Sequence, residues 1–374
     1  MTPIQRRLGS GTGPYDRAFH QHLIDHQIYP NRYKYPNGQT PPKPENLDEI
    51  REFILRSRDS LSPTQFSDEK FENFQTAEEH AIKEAQVVSE IIPLIEGDVG
   101  DRKCVASDVL FANLDHLTDG TLVPGKPDRY CGARPEQLDR RVRKDLNGHI
   151  VPSTQHDLPI TPNWFLEAKG PDGSLSVAAR QASYVGALSA RGIHSLQTYK
   201  APEPQYDNKA YTLTSIYHGG QLKMYASHPI QPSTPGGEPA YVMTQIQTFS
   251  LINDLDTFRQ GAAAYRNGRD WAKLKRDEAI EKANKVAKNE VDDGLGLRFV
   301  SVESAATTEP TSQDTVINHG LNRTLSLHDS DTSADPVDIP LGKRHKGIRD
   351  ASSNGELPGR SGEPEPATHN YDEV

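Results

Sequence analysis

The chain has 374 residues, enough for one large domain or two small ones, and a formal net charge of −10 at pH 7. Only 34% of the residues are hydrophobic and Gly and Pro number 28 each, which excludes a chain that is packed core throughout. With two cysteines, no apolar run of about 18 residues and no signal-peptide pattern, the composition favours an intracellular protein over a membrane-spanning or disulfide-stapled one.

The two ends of the chain differ in composition from the middle. Residues 1–45 are rich in Pro, Gly, Tyr and polar groups without an apolar period, which predicts an extended or disordered segment. From Phe299 onward the chain holds 13 of the 52 acidic residues but only 6 of the 42 basic ones. We therefore predict a folded, nearly neutral domain over residues 46–295 and a disordered acidic tail over 296–374.

Two helices are predicted at the start of this domain. The first is indicated by apolar residues at helical spacing, namely Leu47, Ile50, Phe53 and Ile54. The second is predicted over Thr76–Ile95, with Thr76 and Glu79 as a capping box. Glu84 in this helix is either a solvated residue at the edge of the apolar stripe or an inward acid beside a metal.

The clearest strand lies in the middle of the domain. A charged helix in RPEQLDRRVRKDLNG, stopped by Asn147-Gly148, precedes it. In the strand PNWFLEAKG one face is predicted to carry Trp164, Leu166 and Ala168, and the other Phe165, Glu167 and Lys169. A helix over Ser176–Ala190, ended by Gly192, is predicted to follow.

The second half of the domain predicts a β-hairpin around Gly219-Gly220, a strand in YVMTQIQTFSL and a long helix over Asp254–Val291. In chain order, these elements indicate an α/β fold with a mixed sheet covered by helices on both faces.

Glu167 and Lys169 put two charges on one face of an otherwise apolar strand. Burying both is costly unless they pair or hold an ion. Phosphodiester hydrolysis uses such a set, because carboxylates bind Mg²⁺ and a lysine positions the attacking water. The (D/E)xK pattern also occurs at 68–70, 101–103 and 207–209, so spacing alone is not specific. The alternative interpretation is a structural salt bridge at the end of a strand.

Pro127-Asp128 followed by Glu167-Ala168-Lys169 resembles the motif of the PD-(D/E)XK nuclease superfamily. Residues 120–200 are also similar to a group of uncharacterised fungal proteins regarded as nuclease-like by fold, and a weaker likeness extends from Thr76 to Arg276. The resemblance implies a restriction-endonuclease-like fold, Mg²⁺ or Mn²⁺ as cofactor, and DNA as partner.

The resemblance also implies roles for individual residues. Asp128, Glu167 and the Ala168 carbonyl would hold the metal, and Lys169 would be the catalytic lysine. Glu84 matches an acid that many relatives carry on the first core helix.

Gln181 and Tyr184 match the Gln and Tyr that RecB-type nucleases place on the helix after the motif, where Gln181 would have a catalytic role. Their spacing here is QxxY rather than QxxxY, and the alternative is helix packing.

One departure concerns the first carboxylate. The 38 residues between Asp128 and Glu167 are many for this motif, and the charged helix would account for them as an insert. Asp157, ten positions before Glu167, is the rival for the first metal carboxylate.

Basic residues predict electrostatic DNA binding. They lie in the insert (Arg134, Arg140, Arg141, Arg143 and Lys144) and in the last helix (Arg259, Arg266, Arg269, Lys273, Lys275 and Arg276). The alternative is a solvated helix surface with i,i+4 ion pairs. Residues 343–346, KRHK, are typical of a nuclear localisation signal.

The sequence thus predicts a Mg²⁺-dependent nuclease that acts on DNA in the nucleus. The alternative is a binding module that kept the nuclease fold without catalytic turnover.

Overall fold

The computed structural model describes the backbone of residues 11–155 and 157–302 and the side chains up to residue 289. The first ten residues, the acidic tail from residue 303 and its basic cluster at 343–346 lie outside the described residues. Within them no helix is long and apolar enough to cross a membrane.

The described strands form one mixed sheet. They are β1 (Ile28–Tyr29), β2 (Val105–Ser107), β3 (Arg129–Ala133), β4 (Ile160–Lys169), β5 (Thr212–His218), β6 (Gln221–Ile230) and β7 (Ala240–Ser250). Their spatial order is β1-β7-β6-β5-β4-β3-β2. The pairs β1/β7 and β4/β5 are parallel, and the other neighbours are antiparallel.

Helices flank this sheet. In chain order they are α1 (Arg17–Asp25), α2 (Leu47–Ile54), α3 (Asp68–His80), α4 (Glu84–Gln86), a π-helix (Val87–Ile91), α5 (Ile92–Glu96), α6 (Arg140–Asp145), α7 (Asn147–Ile150), α8 (Leu175–Gln197) and α9 (Leu255–Val302). Short 3₁₀ turns lie at Asp59–Leu61, Arg102–Cys104 and Pro135–Gln137. The mixed α/β architecture predicted from the sequence is therefore present.

The two faces of β4 pack against different helices, as the alternation of its side chains predicts. Trp164, Leu166 and Ala168 belong to a core cluster that includes Phe258 of α9. Phe165 belongs to a second cluster with Tyr184 and Val185 of α8. Glu167 and Lys169, which alternate with the first set, therefore point toward the α8 layer.

The N-terminal segment corrects the sequence-based prediction. Residues 1–45 were expected to be extended or disordered, but α1 begins after the N-cap Asp16 and β1 joins the sheet edge. Phe19, Leu23 and Ile28 are buried. The segment contributes apolar side chains to the α8 layer, although these are too few to form a long periodic pattern.

Helix boundaries also differ from the prediction. The helix expected over Thr76–Ile95 is interrupted, because α3 already begins at Asp68 and ends at His80. Thr76 is therefore inside a helix and caps nothing. Gly192 lies inside α8 rather than ending it. Glycine is needed there because a Cβ would lie 2.7 Å from the His149 carbonyl oxygen of α7.

The other elements agree with the sequence in type. The hairpin between β5 and β6 turns at Gly219 and Gly220, whose φ values of +53° and +68° favour glycine. The strand β7 is present, and α9 continues past the expected end to Val302. The charged helix α6 ends at Asp145, close to the expected stop at Asn147-Gly148, but a further helical turn, α7, begins at Asn147 after Leu146.

Candidate functional site

The register of β3 against β4 brings Asp128 to the end of the charged strand. Arg129 pairs with Leu166 in this antiparallel ladder, so Asp128 stands opposite Glu167. The Ala168 amide donates a hydrogen bond of 2.7 Å to Asp128 Oδ2. The rival Asp157 is exposed and precedes β4, at the opposite end of the strand. The seven residue steps of β4 from Ile160 to Glu167 alone span about 23 Å, which places Asp157 far from this site.

Glu167 is the most unusual residue of the site, because its side chain is fully buried and ionisable. Neither carboxylate oxygen has a hydrogen-bond partner among the described residues. Burial, reinforced by the neighbouring Asp128, raises the pKa of Glu167 well above its ordinary value. A carboxylate in this state is costly when ionised unless a cation compensates it.

Lys169 supplies a cation at the same strand end. Its Nζ donates to the Ala168 carbonyl oxygen at 2.9 Å and to Glu84 Oε2 at 3.1 Å, and it lies 3.7 Å from Asp128 Oδ2. Burial alone would lower the pKa of Lys169, but the adjacent Asp128 and Glu84 outweigh it and raise that pKa. The ammonium group therefore stays charged and lies between two of the carboxylates.

Glu84 reaches the site because the helix is interrupted between the end of α3 at His80 and the start of α4 at Glu84. The Glu84 backbone packs directly on the turn after β4, where a Cβ on Gly170 would sit 2.7 Å from the Glu84 amide nitrogen. The π-helix Val87–Ile91 follows immediately, and such segments are common near functional sites. The Glu84 side chain is 41% exposed, so the site opens to solvent on this side.

Gln181 and Tyr184 lie on α8, which covers the sheet face that carries Glu167. Ile216, the β5 residue paired with Glu167, packs in a cluster with Ala178 and Ala182 of this helix. Gln181 Oε1 is buried and accepts no hydrogen bond from the described part of the chain. The Tyr184 ring instead makes an edge contact with Phe19 of α1 at 5.8 Å, which is a packing role.

The donor set suits a hard divalent cation, since Asp128, Glu167, Glu84 and the Ala168 carbonyl all offer oxygen. The two buried oxygens of Glu167 without partners fit such an ion. However, the three carboxylates do not bring one oxygen each to within 4.8 Å of one another. The three carboxylates would therefore have to move closer together to share one ion.

Several basic residues expected to face DNA are instead structural. On α9, Arg266 donates to the Ile95 and Leu94 carbonyls, and Arg269 to those of Glu96 and Asp98. Arg276 is 2% exposed and donates to Asn163. These three guanidinium groups donate hydrogen bonds to buried backbone and amide oxygens that solvent does not reach. Arg259 likewise donates to the Phe66 carbonyl.

The insert keeps part of its basic surface. Arg134 pairs with Asp101, and Arg141 with Asp139. Arg140, Arg143 and Lys144 line a cleft of about 340 Å³ that also includes Ile160, at the start of β4. This cleft lies at the end of the strand remote from Glu167.

Exposed lysines also flank the site in the chain. Lys83 directly precedes Glu84, and Lys126 lies two residues before Asp128. Lys126 Nζ is 3.2 Å from Asp108 in a pair whose side chains are both more than half exposed. Such an exposed pair contributes little to stability in solvent.

One cluster was missed by the sequence-based reasoning. His22, His26 and Asp119 bring one ligand atom each to within 4.8 Å of one another. The i,i+4 spacing of the two histidines was a usable signal, but it lay in a segment that was expected to be disordered.

No family model, curated protein or solved structure matches the chain.

Proposed function

We propose that this protein is a Mg²⁺-dependent nuclease that hydrolyses DNA phosphodiester bonds at the site formed by Asp128, Glu167 and Lys169. The observation that carries the proposal is the Glu167 carboxylate, which is fully buried, lies next to a second carboxylate and has no hydrogen-bond partner in residues 11–155 and 157–289. A packed core gains nothing from such a group, since an apolar residue of similar volume is often more stable there. Strongly shifted pKa values of this kind cluster at functional sites.

The residues have separate tasks in this proposal. Asp128, Glu167 and the Ala168 carbonyl would hold the ion, with Glu84 on the solvent side. A bound Mg²⁺ supplies Lewis acidity and lowers the pKa of a bound water. Lys169, charged and buried, is placed to stabilise negative charge that develops on a phosphate. The free Gln181 Oε1 can accept a hydrogen bond from the attacking water.

A second candidate is a nuclease-fold binding module without turnover. The specific observation in its favour is the ion pair of Lys169 with Glu84, since Lys169 Nζ also contacts the Ala168 carbonyl that would face the metal. In this alternative the ion pair is the final state of the site, and the lysine replaces the metal permanently.

The test is cleavage of plasmid and single-stranded DNA by the full chain in Mg²⁺ or Mn²⁺. The full chain is required because Phe19 and Ile28, which precede residue 46, are buried in the domain. Glu167→Ala and Lys169→Ala are expected to lose at least about 100-fold in cleavage rate. EDTA is expected to abolish cleavage by the wild type.

Asp157→Ala is the matched control, because it removes an exposed aspartate at the far end of the same strand. It should cleave like the wild type. Absence of cleavage by the wild type, with equal DNA affinity in all variants, would support the binding module. Activity that survives Glu167→Ala would refute the proposed site.

A further inference from the structure

A second group of metal-ligating side chains lies where α1 meets the loop around residue 119. His22 Nε2 is 3.0 Å from Asp119 Oδ1, and the rings of His22 and His26 stack with centroids 4.5 Å apart. Each residue offers one ligand atom within 4.8 Å of the other two. Imidazole and carboxylate together are a donor set for zinc-class ions rather than for Mg²⁺.

The fold of α1 explains why the two histidines share a face. The Asp16 side chain accepts from the Ala18 amide and caps the helix, while Phe19 and Leu23 bury the face toward α8. His22 on α1 and His26, the C-cap residue of the same helix, are also four residues apart and form the adjacent stripe. Anchoring the apolar stripe therefore holds both imidazole rings toward the loop.

A hydrogen bond prepares His26 for metal binding. Its Nδ1 lies 2.9 Å from the His22 carbonyl oxygen, which can only accept, so Nδ1 carries the hydrogen. In the neutral ring Nε2 then holds the lone pair. Metal-ligating histidines commonly use such a backbone carbonyl to fix their tautomer and orientation.

The other two ligands are also oriented. Asp119 Oδ1 accepts from the Thr121 amide at 3.1 Å and from its hydroxyl at 2.7 Å, which fixes the carboxylate. His22 Nε2 is buried and, despite its 3.0 Å contact with Asp119, makes no aligned hydrogen bond with any residue that the structure describes. An ion between them would satisfy this nitrogen.

We propose that His22, His26 and Asp119 form a binding site for one divalent transition-metal ion of the zinc class, separate from the Glu167 site. Ligand atoms in a tetrahedral zinc site lie about 3.4 Å apart, since the bonds are about 2.0–2.1 Å. Closure therefore needs ligand-atom movements of roughly an ångström. Three protein ligands would leave a fourth position for water, and the Asp119 side chain is half exposed to solvent. The ion joins α1 to the loop around residue 119.

The test is a titration of the tag-free full chain with Zn²⁺ by calorimetry. We expect one ion to bind to the wild type, and His22→Ala, His26→Ala and Asp119→Ala to weaken its affinity by at least about tenfold. His20→Ala is the matched control, because His20 is exposed on the same helix.

Two further readouts do not depend on each variant folding well. Zn²⁺ should raise the melting temperature of the wild type and of His20→Ala. Co²⁺ bound to the wild type should give the visible absorption of a low-coordinate site with nitrogen ligands. The proposal is overturned if the wild type takes up no Zn²⁺ at micromolar concentration, or if His22→Ala binds it as tightly as His20→Ala.

Discussion

At the scale of single residues, Glu167 determines how stability should depend on pH. Its pKa is raised in the folded protein, so the folded state holds a proton that the unfolded state has released. The contribution of Glu167 to the free energy of unfolding is fully present below the ordinary glutamate pKa of about 4.5. It is lost as the pH rises toward the raised pKa of the folded state. Lys169 and a bound cation both reduce this loss.

Glu167→Gln is therefore expected to raise the melting temperature at pH 8, because it removes the buried charge and keeps the shape. The gain should be roughly 2–4 °C for each kcal/mol and should vanish near pH 4.5. Thermal denaturation at both pH values, without divalent ions, measures it. Asp157→Asn is the control and should change nothing. A melting temperature that is lower at pH 8 than the wild type's would contradict the argument.

The sequence predicted part of this site and left part open. The alternation in β4 predicted that Glu167 and Lys169 share a face, because strand periodicity is local. Whether Asp128 or Asp157 joins them depends on the register between β3 and β4, which no local pattern encodes. Nor could charge patterning show that Arg266, Arg269 and Arg276 would be used inside the protein.

At the scale of elements, the turn after β4 sets the position of Glu84. A Cβ on Gly170 would lie 3.0 Å from the Lys83 carbonyl carbon and 2.7 Å from the Glu84 amide nitrogen. Both neighbours are backbone, so they cannot rotate away. The sequence did not predict the interruption between α3 and α4, because the apolar period of the helix continues through this segment. The tertiary contact with Gly170 overrides that local pattern.

Gly170→Ala should accordingly displace Glu84, destabilise the protein by about 1–3 kcal/mol and reduce any metal-dependent cleavage. Gly13→Ala is the matched control, since its Cβ would meet only Val123 Cγ2 at 3.8 Å. Urea denaturation of both variants measures the difference. Equal stability of the two would mean that the Glu84 segment is not held by this contact.

At the scale of the whole molecule, the N-terminal segment is part of the domain. Phe19 packs on Tyr184 of α8, and β1 extends the sheet beyond β7. Composition predicted a disordered segment here because one short helix and a two-residue strand give little periodicity. Their burial depends on partners far along the chain.

Phe19→Ala is expected to lower the free energy of unfolding by about 3–5 kcal/mol, because it empties a buried site between α1 and α8. Tyr15→Ala, at a residue that is 75% exposed, should change it by less than about 0.5 kcal/mol. Chemical denaturation of the full chain compares the two. A cost below about 1 kcal/mol for Phe19→Ala would show that the segment is only loosely attached.

The pairing of β1 with β7 has a consequence for synthesis on the ribosome. Ile28 pairs with Tyr241, so β1 cannot form its pairing with β7 until more than 200 further residues have been translated. At about 5–20 residues per second this delay is roughly 10–40 s. During that interval Phe19, Leu23 and Ile28 lack their final cover on the nascent chain. These exposed apolar side chains are candidate binding sites for chaperones that recognise short apolar segments.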